Sequence, residues 1–201
     1  MPAAAGRVFR ATRTAWKVFC YSLGALVLAV AAVQCWFYAH VLWWRLYQPA
    51  NTAFMEARVE RLRDKDPKAK LAHQWVDYER ISTQLKRAVV AAEDAKFVGH
   101  EGFDWEAISK AMEKNEKQGR VVSGASTISQ QLAKNLFLSG ERSWPRKGQE
   151  AVITWMLESA LSKRRILELY LNFAEWGEGV FGAEAAARYH FGIHAAALNA
   201  S

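Results

Sequence analysis

From Val18 to Trp44 the chain carries no Lys, Arg, Asp or Glu. As a helix this run is roughly 40 Å long, more than the roughly 30 Å hydrocarbon core of a bilayer. It reads as a single transmembrane anchor, part of which tilts or lies in the headgroup layer. Arg7, Arg10, Arg13 and Lys17 precede it. That excess of cations predicts a cytoplasmic N-terminus, with everything after the anchor on the outer side. Trp16, Phe19 and Tyr21 mark one interface; Trp36, Tyr38, Trp43, Trp44 and Tyr47 crowd the other. A cleaved signal peptide fits poorly, because the run exceeds the usual apolar core of about 7–15 residues. Cys20 and Cys35 both fall inside it, without metal-type spacing or an aqueous setting for a disulfide.

The remaining length of this 201-residue chain suits one domain. Boundaries follow from composition: a basic tail over 1–17, the anchor over 18–44, a charge-rich stalk or linker over 45–70, and the main domain over 71–201. Asp66-Pro67 breaks the stalk. On this division, a chain starting near Trp75 keeps the whole working part of the protein. The net charge of +7 and pI near 9.5 suit nucleic acid, anionic lipid or a phosphorylated substrate alike. The expected outer location speaks against nucleic acid.

Beyond the stalk the periodicity is helical. Ser82 caps a helix in which Leu85, Ala88, Val89 and Ala92 share a face, with Glu93 at the edge of that stripe. Asp104 opens a second helix, to Glu116. Residues 117–127, with Gly119 and Gly124, read as a loop. Ile128–Leu138 is helical, Pro145 sits in the first turn of a helix to about Ser162, and Ser162 caps Lys163–Asn172. Gly177, Gly179 and Gly182 break the chain before Ala183–Tyr189. Little reads as strand, so the fold is mainly α.

Polar clusters are dense in this domain. Glu93 and Glu150 are candidate acids for glycosyl chemistry, which uses two carboxylates about one sugar bond. Lys134, Arg142, Arg146 and Lys147 form a cation group suited to a departing diphosphate. Ser126, Thr127, Gln130, Gln131 and Asn135 supply neutral donors and acceptors, and Ser126 or Thr127 also suits a helix cap. No G-x-S-x-G elbow supports a serine nucleophile. His100 orders the Glu93 loop rather than binding metal, while Asp94 and Glu168 make buried hydrogen bonds.

These clusters resemble the five motifs of the glycosyltransferase family 51 domain, the peptidoglycan glycosyltransferases. They are Glu93–Gly102, Gly124–Gln131, Arg146–Glu150, Lys163–Asn172 and Gly177–Ala186. The resemblance runs from about Trp75 to Gly192. It implies a lysozyme-like α-helical domain with a smaller membrane-contacting lobe, here behind a single N-terminal transmembrane helix. The implied activity is polymerisation of lipid II into glycan strands, with inversion at the anomeric carbon and release of polyprenyl diphosphate, in a bacterial inner membrane. Glu93 is then the general base, Lys134 and Arg142 contact the diphosphate, and Glu150 either positions the acceptor or binds a divalent ion such as Mg or Mn. No other cofactor is implied. Partners are lipid II, the growing strand and membrane lipid, with other cell wall synthesis and division proteins beyond them. With no penicillin-binding motifs, the chain resembles the monofunctional type. It stops soon after the fifth motif, where members of the family continue for another helix or two; a C-terminal truncation is one reading of that. A glycan-cleaving lytic transglycosylase or lysozyme-like enzyme, and a non-catalytic membrane scaffold, are the competing readings.

Overall fold

The computed structural model describes residues 2–122, 124–138 and 143–199, with side chains from Lys17 onward and those of Thr14 and Trp16. It divides into two compact units, Met1–His40 and Val41–Ser201. The first unit is most of helix α1 (Pro2–Trp43). Its apolar stretch Trp16–Trp43, 28 residues, has the length and composition to cross a membrane. Leu23, Leu26, Val27, Leu28 and Val30 are exposed on it, as the lipid-facing side chains of a membrane-crossing helix would be.

The second unit is mostly helical and is organised around α5 (Ile128–Phe137). Seven of that helix's ten residues are buried, among them Ile128, Leu132, Ala133 and Leu136. Burial of each large aliphatic side chain contributes about 1.5–3 kcal/mol, which makes α5 the natural centre of packing. It lies against α6 (Trp144–Ala160), α7 (Lys163–Phe173) and α2 (Ala53–Arg63). Helices α3 (Thr83–Glu93), α4 (Trp105–Gln118) and α8 (Ala183–Phe191) complete the set among the described residues. Ser82, Asp104, Thr127 and Ser162 cap α3, α4, α5 and α7 by accepting from backbone N–H groups, as the sequence predicts. Pro145 sits in the first turn of α6.

A small sheet was not foreseen. Strands β1 (Ala72–His73), β2 (Glu175–Gly177) and β3 (Val180–Phe181) lie in the order β1-β3-β2, the first pair parallel and the second antiparallel. Two- and three-residue strands are too short to show a period. Gly182, which follows β3, has φ +84°, and a Cβ there would lie 2.6 Å from the Asn172 carbonyl oxygen. Only glycine fits that approach.

The 45–70 segment departs from the expected stalk. Thr52 caps α2, Met55 is buried, the Phe54 ring meets Phe181 at 6.0 Å, and Arg58 pairs with Glu175 at 2.6 Å. Just before it, Val41 and Trp44 are buried, and Trp44 packs on Phe137 of α5. Arg165 of α7 donates to the carbonyls of Trp44 (2.9 Å) and Tyr47 (2.6 Å) while pairing with Glu168. The segment is therefore docked on the helical core. Charge-rich composition concealed this, because its few apolar side chains are the ones that dock.

The link from β1 to α3 is held by α7. Asn172 accepts from Val76 N–H at 2.8 Å and donates to its carbonyl at 2.9 Å, and Glu168 accepts from Tyr78 N–H. Glu168 is thus a structural acceptor, as expected, though half-buried rather than buried.

Candidate active site

Glu93 is the last residue of α3 and is exposed, not at the edge of a buried stripe as the periodicity placed it. The turn that follows is cross-linked by hydrogen bonds. Asp94 is buried; His100 Nε2 lies 2.9 and 3.0 Å from its two oxygens, and Ile128 N–H donates to one of them at 3.1 Å. Gly102 N–H donates to His100 Nδ1, so the ring proton sits on Nε2 and points at Asp94. Thr127 Oγ1 then donates to the Gly102 carbonyl at 2.7 Å. This chain of bonds joins the end of α3 to the start of α5. His100 orders the Glu93 turn, as expected.

Thr127 and Gln130 are buried and form a reciprocal capping box on α5. Their polar atoms therefore serve the helix start. Gln131, one position on, leans the other way: its Nε2 donates to Glu93 Oε2 at 2.8 Å. Its Oε1 accepts from the Tyr170 hydroxyl of α7 at 3.1 Å. Tyr170 was part of a sequence motif but had no role assigned to it, because its partner lies 39 positions away.

On the next helix, Glu150 is buried, with its side chain 4 % exposed. Arg146 Nη1 lies 3.4 Å from one oxygen, and Lys147 Nζ bonds the other. The spacings i−4 and i−3 place both cations on the face of α6 that carries Glu150. A buried carboxylate needs such partners. Lys147 also reaches the Ser126 hydroxyl at 3.5 Å.

A cleft of about 560 Å³ is lined by Ser126, Gln131, Lys134, Arg146, Lys147 and Glu150, with Trp144 at its edge. Trp144 is 90 % exposed and was not foreseen as a site residue. A second cleft of about 330 Å³ is lined by Glu93, Asp94, Lys96 and the stretch Gly124–Thr127. The two share Gly124 and Ser126, and the Gln131–Glu93 bond links their linings. The Lys134 ammonium stands 5.5 Å from the Phe54 ring centroid, so the docked α2 supplies one wall beside it.

Most of the expected set is thereby brought together. Asn135 is not: it is buried, and its Oδ1 has no hydrogen-bond partner among the described residues. Arg142 lies outside the described residues. A divalent cation held by a cage of protein carboxylates does not fit here. Among the described residues no three His, Cys, Asp or Glu side chains gather, and both Glu150 oxygens face cations.

The arrangement offers an exposed carboxylate beside a cleft that carries cations, the pattern for deprotonating a hydroxyl while an anionic group leaves. Known proteins resemble this chain over the region that builds it. A family model described as Transglycosylase matches residues 59–201. A biosynthetic peptidoglycan transglycosylase of Methylobacillus flagellatus is 63% identical over 87% of this chain and 76% of its own length. Proteins of the same name from an Azoarcus species and from Thiobacillus denitrificans are each 58% identical, over 92% and 93% of this chain and 80% and 81% of their own lengths. With the matched region spanning both clefts and every helix from α3 to α8, the chain belongs to the transglycosylase family.

Proposed function

We propose that this protein is a peptidoglycan glycosyltransferase that polymerises lipid II into glycan strands for the bacterial cell wall. The observation that carries the reading is Glu93, exposed and engaged at Oε2 by Gln131, next to a cleft carrying Lys134, Arg146 and Lys147. Family membership and the names of relatives up to 63% identical support it.

In this reading Glu93 takes the proton from the 4-hydroxyl of the incoming sugar. The oxygen attacks the anomeric carbon of the growing chain's lipid-linked end from the face opposite the diphosphate. A new C–O bond forms as the bond to the diphosphate oxygen breaks, with inversion. The electron pair leaves on polyprenyl diphosphate, whose charge Lys134 and Arg142 stabilise. Glu150 acts at one remove: it holds Arg146 and Lys147 on the cleft wall. Substrate energy drives transfer, so no nucleotide is needed.

The helix Trp16–Trp43 keeps the enzyme at the membrane where its lipid-linked substrate lies. The cations before it favour a cytoplasmic N-terminus and a catalytic unit on the outer face of the inner membrane. The test is incubation of the purified full-length protein with labelled lipid II, followed by gel separation of polymer. A ladder of glycan that lysozyme digests supports the reading. Clearing of preformed cell wall without polymer from lipid II points instead to a glycan-cleaving enzyme.

A further inference from the structure

Tyr170 lies on α7, is buried, lines neither cleft, and hydrogen-bonds Gln131. A glutamine amide can present either its oxygen or its nitrogen to a neighbour. Here the neighbours decide. At one end stand two acceptors, Glu93 Oε2 at 2.8 Å and the Ser126 carbonyl at 3.5 Å. At the other stands a phenol 3.1 Å away. Burial, and then the negative Glu93 nearby, hold that phenol above its usual range, so it keeps its proton and donates. A flipped amide would turn its oxygen toward the Glu93 carboxylate and offer N–H groups to a group already committed as donor.

Resting on the assignment of Glu93 as the base, we infer that Tyr170 is a positioning residue: by locking the Gln131 amide, it holds the Glu93 carboxylate in its reactive orientation. Glu93 needs such help because it is exposed at a helix end, where no packing fixes its rotamer. The charges around it are already paired among themselves, Asp94 with His100, and Lys96 and Lys110 with Glu106. Among the described residues Gln131 is the hydrogen-bond partner that Glu93 has.

The experiment compares full-length wild type, Tyr170→Phe, Gln131→Ala, the double variant and Glu93→Gln on labelled lipid II in detergent, with melting curves for each. Tyr170→Phe is expected to lower kcat about tenfold with KM within about twofold, since misorientation of a reacting group acts on turnover. On the Gln131→Ala background the same change is expected to cost nothing further, because the link it acts through is gone. Wild-type kcat in Tyr170→Phe overturns the inference, as does a full second loss in the double variant. If Tyr170→Phe melts early, Gln131→Met takes its place; it keeps the shape, drops the amide and leaves Tyr170 intact, and an undiminished kcat there overturns the inference equally. Active wild type with inactive Glu93→Gln and normal Tyr170→Phe removes the role of Tyr170 alone. Activity in Glu93→Gln removes the base assignment itself.

Discussion

Glu93 and Glu150 face the same region with opposite surroundings, and neutralising each should have a different consequence. Glu93 is exposed with one hydrogen bond, so Glu93→Gln should leave the melting temperature unchanged. As the base it should lose roughly 10²–10⁴ in rate. Glu150 is buried against Arg146, whose side chain is only 16 % exposed. Glu150→Gln removes the buried charge that faces both Arg146 and Lys147, so this variant should melt several degrees lower as well as lose activity. Paired melts and polymerisation assays check the contrast; identical melting of the two variants would sink it. Lys134 calls for a different comparison. If it stabilises the departing diphosphate, Lys134→Ala should depress kcat by about 2–4 kcal/mol of barrier while binding of lipid II changes less. Lys134→Arg should recover only part, since a planar fork replaces a point charge. Alanine at the exposed Lys65 or Lys68 is the control. Small, salt-erased losses at all three positions would mark Lys134 as a solvated surface charge.

At the scale of elements, the clearest device beyond the clefts is the fastening of the C-terminal turn. Glu184 of α8 accepts from Ala195 N–H at 2.9 Å, Arg188 at 2.7 Å and His194 at 2.8 Å, while the Ala195 carbonyl accepts from Ser82 N–H at the start of α3. Burial opposes the charge on Glu184, but the Ala195, Arg188 and His194 bonds together outweigh it and hold the carboxyl below its usual 4.5. A folded pKa below the unfolded one gives stability that is complete above 4.5 and lost as pH falls through the folded value. Hydrogen exchange at the Ala195 amide, corrected for intrinsic rate, should therefore lose protection as the pH falls below 4.5. Glu184→Gln should show the unfastened behaviour at neutral pH. Unchanged protection in both cases would show that the turn is held by packing alone. None of this was legible in the sequence, because Ser82 and Ala195 meet only in the folded chain. The helix starts were legible, because a cap at Ser82, Asp104 or Ser162 is decided within three residues. The clustering of Glu93, Gln131, Lys134 and Glu150 was legible as a motif pattern. Which amide turns to which acid was not, since Tyr170, Gln131 and Glu93 meet only once α3, α5 and α7 have packed.

For the whole molecule the structure relocates the boundary between anchor and enzyme. Composition put it near residue 70, which made a chain starting at Trp75 an attractive soluble enzyme. The compact unit instead begins at Val41. Removing residues 41–74 deletes buried Val41, Trp44 and Met55, with the Arg58–Glu175 pair and strand β1. It uncovers Phe137 and Phe181 and leaves Arg165 without its two carbonyl acceptors. Loss of a single large buried side chain costs about 2–5 kcal/mol, so losing three is comparable with the whole margin of roughly 5–15 kcal/mol of an ordinary domain. It also removes Phe54 from beside Lys134. A chain starting near Val41 should therefore fold, melt cooperatively and polymerise lipid II in detergent, more weakly than the full chain only because the anchor no longer raises local concentration. A chain starting at Trp75 should aggregate or melt without cooperativity. Expression of the two side by side, with melting curves and the polymer gel, decides the point. A well-folded, active Trp75 chain would mean that the docked segment is dispensable and that the stalk reading of 45–70 was the better one.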